Sequence, residues 1–230
     1  MRKKLLLEIC VETLEAAVAA ERGGADRIEL CDNLTDGGTT PSTKLICAVR
    51  GQVSIPVFKM IRPRAGDFCY SGSEFLQMRR EIEAAKDEGV NGVVFGILTS
   101  TKQIDVPRTT ELVALASPLP ATFHRAFDES PELLSALDDV IATGAARILT
   151  SSGAEDALAG SAKLAELVNT ASNRITIMPG GGIRPENLSS IVRSTGAREF
   201  HSGLSHLRHG GVADPVALEG AVRRLAATLN

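Results

Sequence analysis

Short apolar runs alternate with longer amphipathic stretches about eight times along this chain. That is the pattern of a parallel sheet wrapped in helices. The apolar runs predict strands near 5–10, 26–31, 56–61, 92–96, 121–125, 147–150, 174–178 and 198–202. Between them the helix ends are well marked. Leu14, Ala17, Val18 and Glu21 precede Gly23-Gly24, a permissive helix stop. Thr40-Pro41, Ser130-Pro131, Arg184-Pro185 and Asp214-Pro215 predict helix starts with proline in the first turn. Ser71 and Glu74 have capping-box spacing ahead of a helix that stops near Gly89, and Gly144 and Gly196 close two later helices. No linker, low-complexity tract or charge block divides the chain. Eight βα units therefore predict one α/β domain over residues 1–230, a (β/α)8 TIM barrel rather than an open sheet.

Within the strands a second pattern appears. In Leu7-Glu8-Ile9-Cys10 and again in Arg27-Ile28-Glu29-Leu30-Cys31, apolar residues alternate with a carboxylate and then a thiol. Successive strand side chains point to opposite faces, so Glu8 shares a face with Cys10, and Glu29 with Cys31. Glu199-Phe200-His201 repeats the arrangement with histidine in the thiol's place, and Thr122-Phe123-His124-Arg125 sends Thr122 and His124 inward. Cys10, Cys31, His124 and His201 all fall at predicted strand ends, the face of a barrel that carries function.

Composition narrows the classes. A formal charge of −3, 3% aromatic residues and no Trp argue against a nucleic-acid surface. The apolar run Leu5-Leu6-Leu7 ends at Glu8, too early for a signal peptide, and no stretch approaches the ~18 apolar residues of a membrane span. A cytoplasmic protein is expected, with Cys10, Cys31, Cys47 and Cys69 reduced and Cys47 a small core residue of the second helix. Barrels often pair through their outer helices, which predicts a homodimer.

The stretch Ile61-Arg62-Pro63-Arg64-Ala65-Gly66-Asp67-Phe68-Cys69-Tyr70-Ser71 makes the chain recognisable. With Glu8-Ile9-Cys10, Gly24 to Cys31, Gly37 to Ser42, Thr122 to Asp128, Ile148 to Ser151, Pro179 to Gly182 and Glu199 to His201, it resembles the CutC family of copper homeostasis proteins. The chain departs from the family's usual glycine at Ala65 and is shorter between His201 and Asp214. The resemblance implies a TIM barrel and copper binding, with Cys10 and Cys31 as the matching thiols. Two thiolates on neighbouring strands, about 4.8 Å apart, suit Cu(I) in near-linear coordination. The alternative is a pair of inert core thiols.

The remaining polar residues suggest an enzyme acting on a small anionic or phosphorylated metabolite. Interior Glu8, Glu29 and Glu199 need partners, and Arg62, Arg64, His124 and His201 are expected to supply them. They either perform acid–base chemistry or form an ion-pair network that plugs the barrel. His124 and His201 are candidate proton carriers, with Asp128 orienting His124 or Arg125. Arg62, Arg64 and Arg125 are candidate anion ligands, and Gly180, Gly181 and Gly182 after the seventh strand a candidate phosphate cup completed by Ser202-Gly203. A metal site of His201, His206 and His209 is disfavoured, because the intervening residues look like a surface loop.

Overall fold

Eight parallel strands alternate with eight helices. The structure is a computed structural model that describes residues 4–209 and 212–230. The strands are β1 (Leu6–Val11), β2 (Arg27–Leu30), β3 (Val57–Met60), β4 (Gly92–Phe95), β5 (Ala121–Phe123), β6 (Arg147–Thr150), β7 (Thr176–Pro179) and β8 (Glu199–Ser202). The helices are α1 (Leu14–Gly23), α2 (Thr43–Arg50), α3 (Gly72–Asp87), α4 (Val106–Ala116), α5 (Leu133–Ala142), α6 (Ser161–Ala171), α7 (Leu188–Thr195) and α8 (Pro215–Leu229). The ladder runs β7-β6-β5-β4-β3-β2-β1-β8, and β7 and β8 lie side by side to bring the sheet round into a TIM barrel.

The strand alternation decides which side chains face the helices. Leu7, Ile9, Ile28, Leu30, Val57, Val93, Phe95, Phe123, Ile148, Ile177 and Phe200 pack outward against the helical layer in one continuous core. Burying each such side chain contributes about 1.5–3 kcal/mol. The same alternation leaves the polar partners in these strands to fill the inside of the barrel.

Helix ends follow the sequence in part. Ser71 and Glu74 form the capping box of α3, Asp214 caps α8, and Gly24 and Gly196 end α1 and α7 in the left-handed conformation. Helix α2 differs: it starts after Ser42, whose hydroxyl accepts from the Leu45 N–H, and not at Thr40-Pro41. The Thr40 hydroxyl is already committed, donating to Glu81 and accepting from the Arg62 N–H. Helices α5 and α7 likewise start two to three residues beyond their prolines. Cys47 is exposed, contrary to expectation, because α2 turns Ile46 and Val49 inward and Cys47 away from them. Residues 1–3 of the signal-like start, and the His209 side chain of the three-histidine proposal, lie outside the described part.

Candidate functional site

The lower barrel interior is an ion-pair plug whose guanidiniums differ from those expected, while His201 pairs with Glu8 as expected. Strand β2 points Arg27 and Glu29 inward, with Cys31 just beyond its end, and Arg27 pairs with its Cα partner Glu8 on β1. Arg27 also donates to Glu199 at 2.7 Å, and Arg147 of β6 reaches the same carboxylate at 3.2 Å. Both guanidiniums lie about 5 Å from the centre of the Phe58 ring. The partners of Glu8 and Glu199 are thus Arg27 and Arg147, supplemented by His201. Arg62 and Arg64 take no part. The signal was in the strand itself, since Arg27 shares a face with Glu29 two residues on.

Above this plug the interior changes character. His201 Nδ1 lies 2.7 Å from Glu8 Oε1, and Cys10 sits beside Glu29 in the β1–β2 register. Cys10, Glu29 and His201 each offer one donor atom within 4.8 Å of the other two, and all three are less than 8% exposed. Glu29 Oε2 has no hydrogen-bond partner among the described residues. Burial raises the Glu29 carboxyl above its ordinary range against the pull of His201. The Cys10 thiol lies 3.4 Å from the Cys31 thiol, and this contact, with burial, pushes Cys10 well above the usual thiol value. Cys31 Sγ also lies 3.6 Å from the Val11 carbonyl, and Phe58, Met60 and Val94 pack around the two thiols.

Cys10, Glu29, Met60 and His201 form the floor of a cavity of about 490 Å³ at the C-terminal end of the strands, with Cys31 fully buried behind Cys10. His124 stands in its wall. Its Nδ1 accepts the Ala126 N–H at 3.2 Å, which places the proton on Nε2, and Nε2 has no partner among the described residues. Burial and the nearby Arg62 charge hold the imidazole down at about 3. It therefore presents a neutral Nε2–H donor towards the cavity. Gly96 makes room for it, since a Cβ there would lie 2.6 Å from His124 Nδ1.

The other predicted residues divide. Arg62 lines the cavity, but its guanidinium donates to the carbonyls of Asp36, Gly38 and Gly66, tying together the loops after β2 and β3. Arg64 is turned away, paired with Asp67 and Glu74 and stacked over Tyr70. Arg125 and Gly181 and Gly182 line the cavity. Gly180 does not; its hydrogen atom replaces a Cβ that would strike Leu149 at 2.3 Å, so it serves strand packing. Asp128 accepts from Arg125, Thr150, the N–H and hydroxyl of Ser151, and Gly153, so it orients Arg125 and not His124. The Ser202 hydroxyl donates to the Ile183 carbonyl, and Gly203 lines the cavity. Sequence reasoning passed over Arg184, a rim residue that had served only as part of a helix-start signal.

The sequence matches the CutC family over residues 5–206. The chain belongs to the CutC family. A CutC family protein of Chromobacterium violaceum is 48% identical over 90% of this chain and 87% of its own. The human copper homeostasis protein cutC homolog is 47% identical over 90% of this chain and 76% of its own. The crystal structure of the putative copper homeostasis protein CutC from Streptococcus agalactiae superposes with a TM-score of 0.81 at 36% identity, covering 86% of this chain and 98% of that one. Phosphoribosylanthranilate isomerase of Thermotoga maritima, at TM-score 0.62 and 14% identity, shares the CutC barrel fold alone.

Proposed function

We propose that this CutC family member takes up Cu(I) at Cys10 and Cys31 as cargo in copper homeostasis. The observation that carries the reading is the pair of buried thiols 3.4 Å apart, of which Cys10 reaches the floor of an open cavity and Cys31 lies behind it. Sulfur is the donor Cu(I) prefers, and the apolar surround of Phe58, Met60 and Val94 favours a soft, weakly hydrated ion between the two thiols. Metal–sulfur bonds of about 2.3 Å would put the sulfurs about 4.6 Å apart in a linear bridge. The thiols must therefore part by about 1 Å, or bind in a bent arrangement. Uptake displaces thiol protons, so affinity rises with pH. A reducing compartment such as the cytoplasm keeps the pair available.

The test is a competitive Cu(I) titration of reduced protein against a Cys10→Ser/Cys31→Ser variant. One tightly bound equivalent that disappears in the variant supports the assignment. Binding that survives both substitutions overturns it.

A second reading is favoured by the walls of the same cavity. Arg125, Arg184 and the Nε2–H of His124 line the same cavity as Glu29, the one carboxylate among the described lining residues. That arrangement suits a small anionic or phosphorylated metabolite, with His124 polarising an oxygen and Glu29 moving a proton. Thermal-shift screening of phosphorylated sugars and carboxylates against the protein and an Arg184→Ala variant tests it. No ligand-induced shift in either removes this reading and leaves the copper one standing.

A further inference from the structure

We propose that Cys10, Glu29 and His201 form a second, distinct metal site, for a borderline divalent ion of the Zn²⁺ type, with one coordination position open to the cavity. The site shares Cys10 with the Cu(I) pair but does not use Cys31.

Three independent features point to it. The donor atoms of Cys10, Glu29 and His201 lie within 4.8 Å of one another, and the three come from three adjacent strands, β2, β1 and β8. A tetrahedral ion with bonds of about 2.0–2.3 Å needs its donors about 3.3–3.7 Å apart. Side-chain adjustments of roughly an ångström reach that spacing without moving a strand. Next, Glu29 Oε2 is buried without a hydrogen-bond partner among the described residues, an arrangement that costs free energy unless a cation or donor is meant to meet it. Finally, Glu8 already holds His201 through Nδ1 at 2.7 Å, which leaves Nε2 as the ligand nitrogen. A carboxylate fixing the far nitrogen of a metal-binding histidine is the usual outer-shell arrangement of zinc sites.

The donor set selects the ion. One thiolate, one carboxylate and one imidazole are a mixed soft and hard set that suits Zn²⁺ or Co²⁺, whereas Cu(I) favours the two sulfurs. Three protein ligands facing a cavity of about 490 Å³ leave a fourth position for water or a substrate oxygen, the geometry of catalytic rather than structural zinc. One barrel would thus offer two metals overlapping sites through a common thiol, so that either ion excludes the other.

The experiment titrates reduced, metal-free protein with Co²⁺ and records the thiolate-to-cobalt charge-transfer band and the visible bands of four-coordinate cobalt. One equivalent is expected, displaced by Zn²⁺. A Cys31→Ala variant should keep the band, while Glu29→Gln and His201→Ala should weaken binding at least tenfold, and added Cu(I) should bleach the wild-type signal. X-ray absorption of the zinc-loaded wild type, which needs no variant, should show one sulfur and two or three light atoms around the ion. Two sulfurs, loss of the band in folded Cys31→Ala, or no thiolate band in the wild type would each overturn the proposal. Failure of the Cu(I) assignment would show instead as Cu(I) affinity insensitive to Cys31, which these readings do not touch.

Discussion

His201 donates through Nδ1 to Glu8 at 2.7 Å in the closed interior of the barrel, and the direction of that bond is fixed by charge. Burial would raise the Glu8 carboxyl, but the Arg27 guanidinium and His201 hold it at about 2, so it accepts and cannot donate. Glu8 is also bonded to Arg27, which continues to Glu199 and Arg147. The plug below and the cavity above are therefore joined at one carboxylate, and the orientation of His201 depends on both.

Removing that carboxylate leaves Arg27 and His201 with less compensation in a buried setting. Glu8→Ala should lower unfolding free energy by about 3–5 kcal/mol, measured by urea denaturation at pH 7. A loss under about 1 kcal/mol would mean that Glu199 alone satisfies Arg27.

The same group makes an acid limb. Its folded-state value lies below the ordinary 4.5, so its stabilisation is present above pH 4.5 and is lost as pH falls towards about 2. Denaturation midpoints between pH 6 and pH 2.5 should fall more steeply in the wild type than in Glu8→Gln. Parallel curves would place the acid sensitivity elsewhere.

Glu29 should behave with the opposite sign. Its folded-state value is raised by burial, so the folded protein loses stability as pH rises above 4.5 and the buried carboxyl ionises. Glu29→Gln in metal-free protein should accordingly raise Tm by several degrees at pH 7.5, with the gain vanishing near pH 4. A variant less stable than wild type at pH 7.5 would contradict the cost assigned to this carboxylate.

His124 and His201 should separate in a histidine titration followed by nitrogen-15 NMR. His124, at about 3, should stay neutral with the proton on Nε2 throughout pH 5–9. His201 is lowered by burial but raised more by Glu29 and Glu8, so it should titrate above 6.5. Two histidines titrating together would show that the burial difference in charge environment is absent.

Arg62 should act as a clamp rather than as a ligand. Arg62→Lys keeps the charge but cannot reach the Asp36, Gly38 and Gly66 carbonyls together. Hydrogen exchange should speed up around residues 33–39 and 64–69, with about 1.5–3 kcal/mol lost. Unchanged exchange in both loops would remove the clamp.

The alternation of Leu7, Ile9 and Val11 with Glu8 and Cys10 determined by itself that β1 has a helix-facing side and a polar interior side, because strand periodicity is local. Repeated eight times, that periodicity was enough for the barrel, and the family-specific run from Ile61 to Ser71 located the chain in the CutC family. It placed Cys10, Glu29, His124 and His201 at one end as well. Which charges meet was not local. Arg27, Arg147 and Glu199 come together from β2, β6 and β8, and only barrel closure sets β8 beside β1 and turns β6 across the interior towards them. Likewise, the pairing of Asp128 with Arg125 instead of His124 follows from where the β6 loop delivers Ser151 and Thr150. Sequence periodicity fixed the face each side chain takes. Its neighbours across the barrel are set by strand stagger and closure, which join residues as far apart as Glu8 and His201.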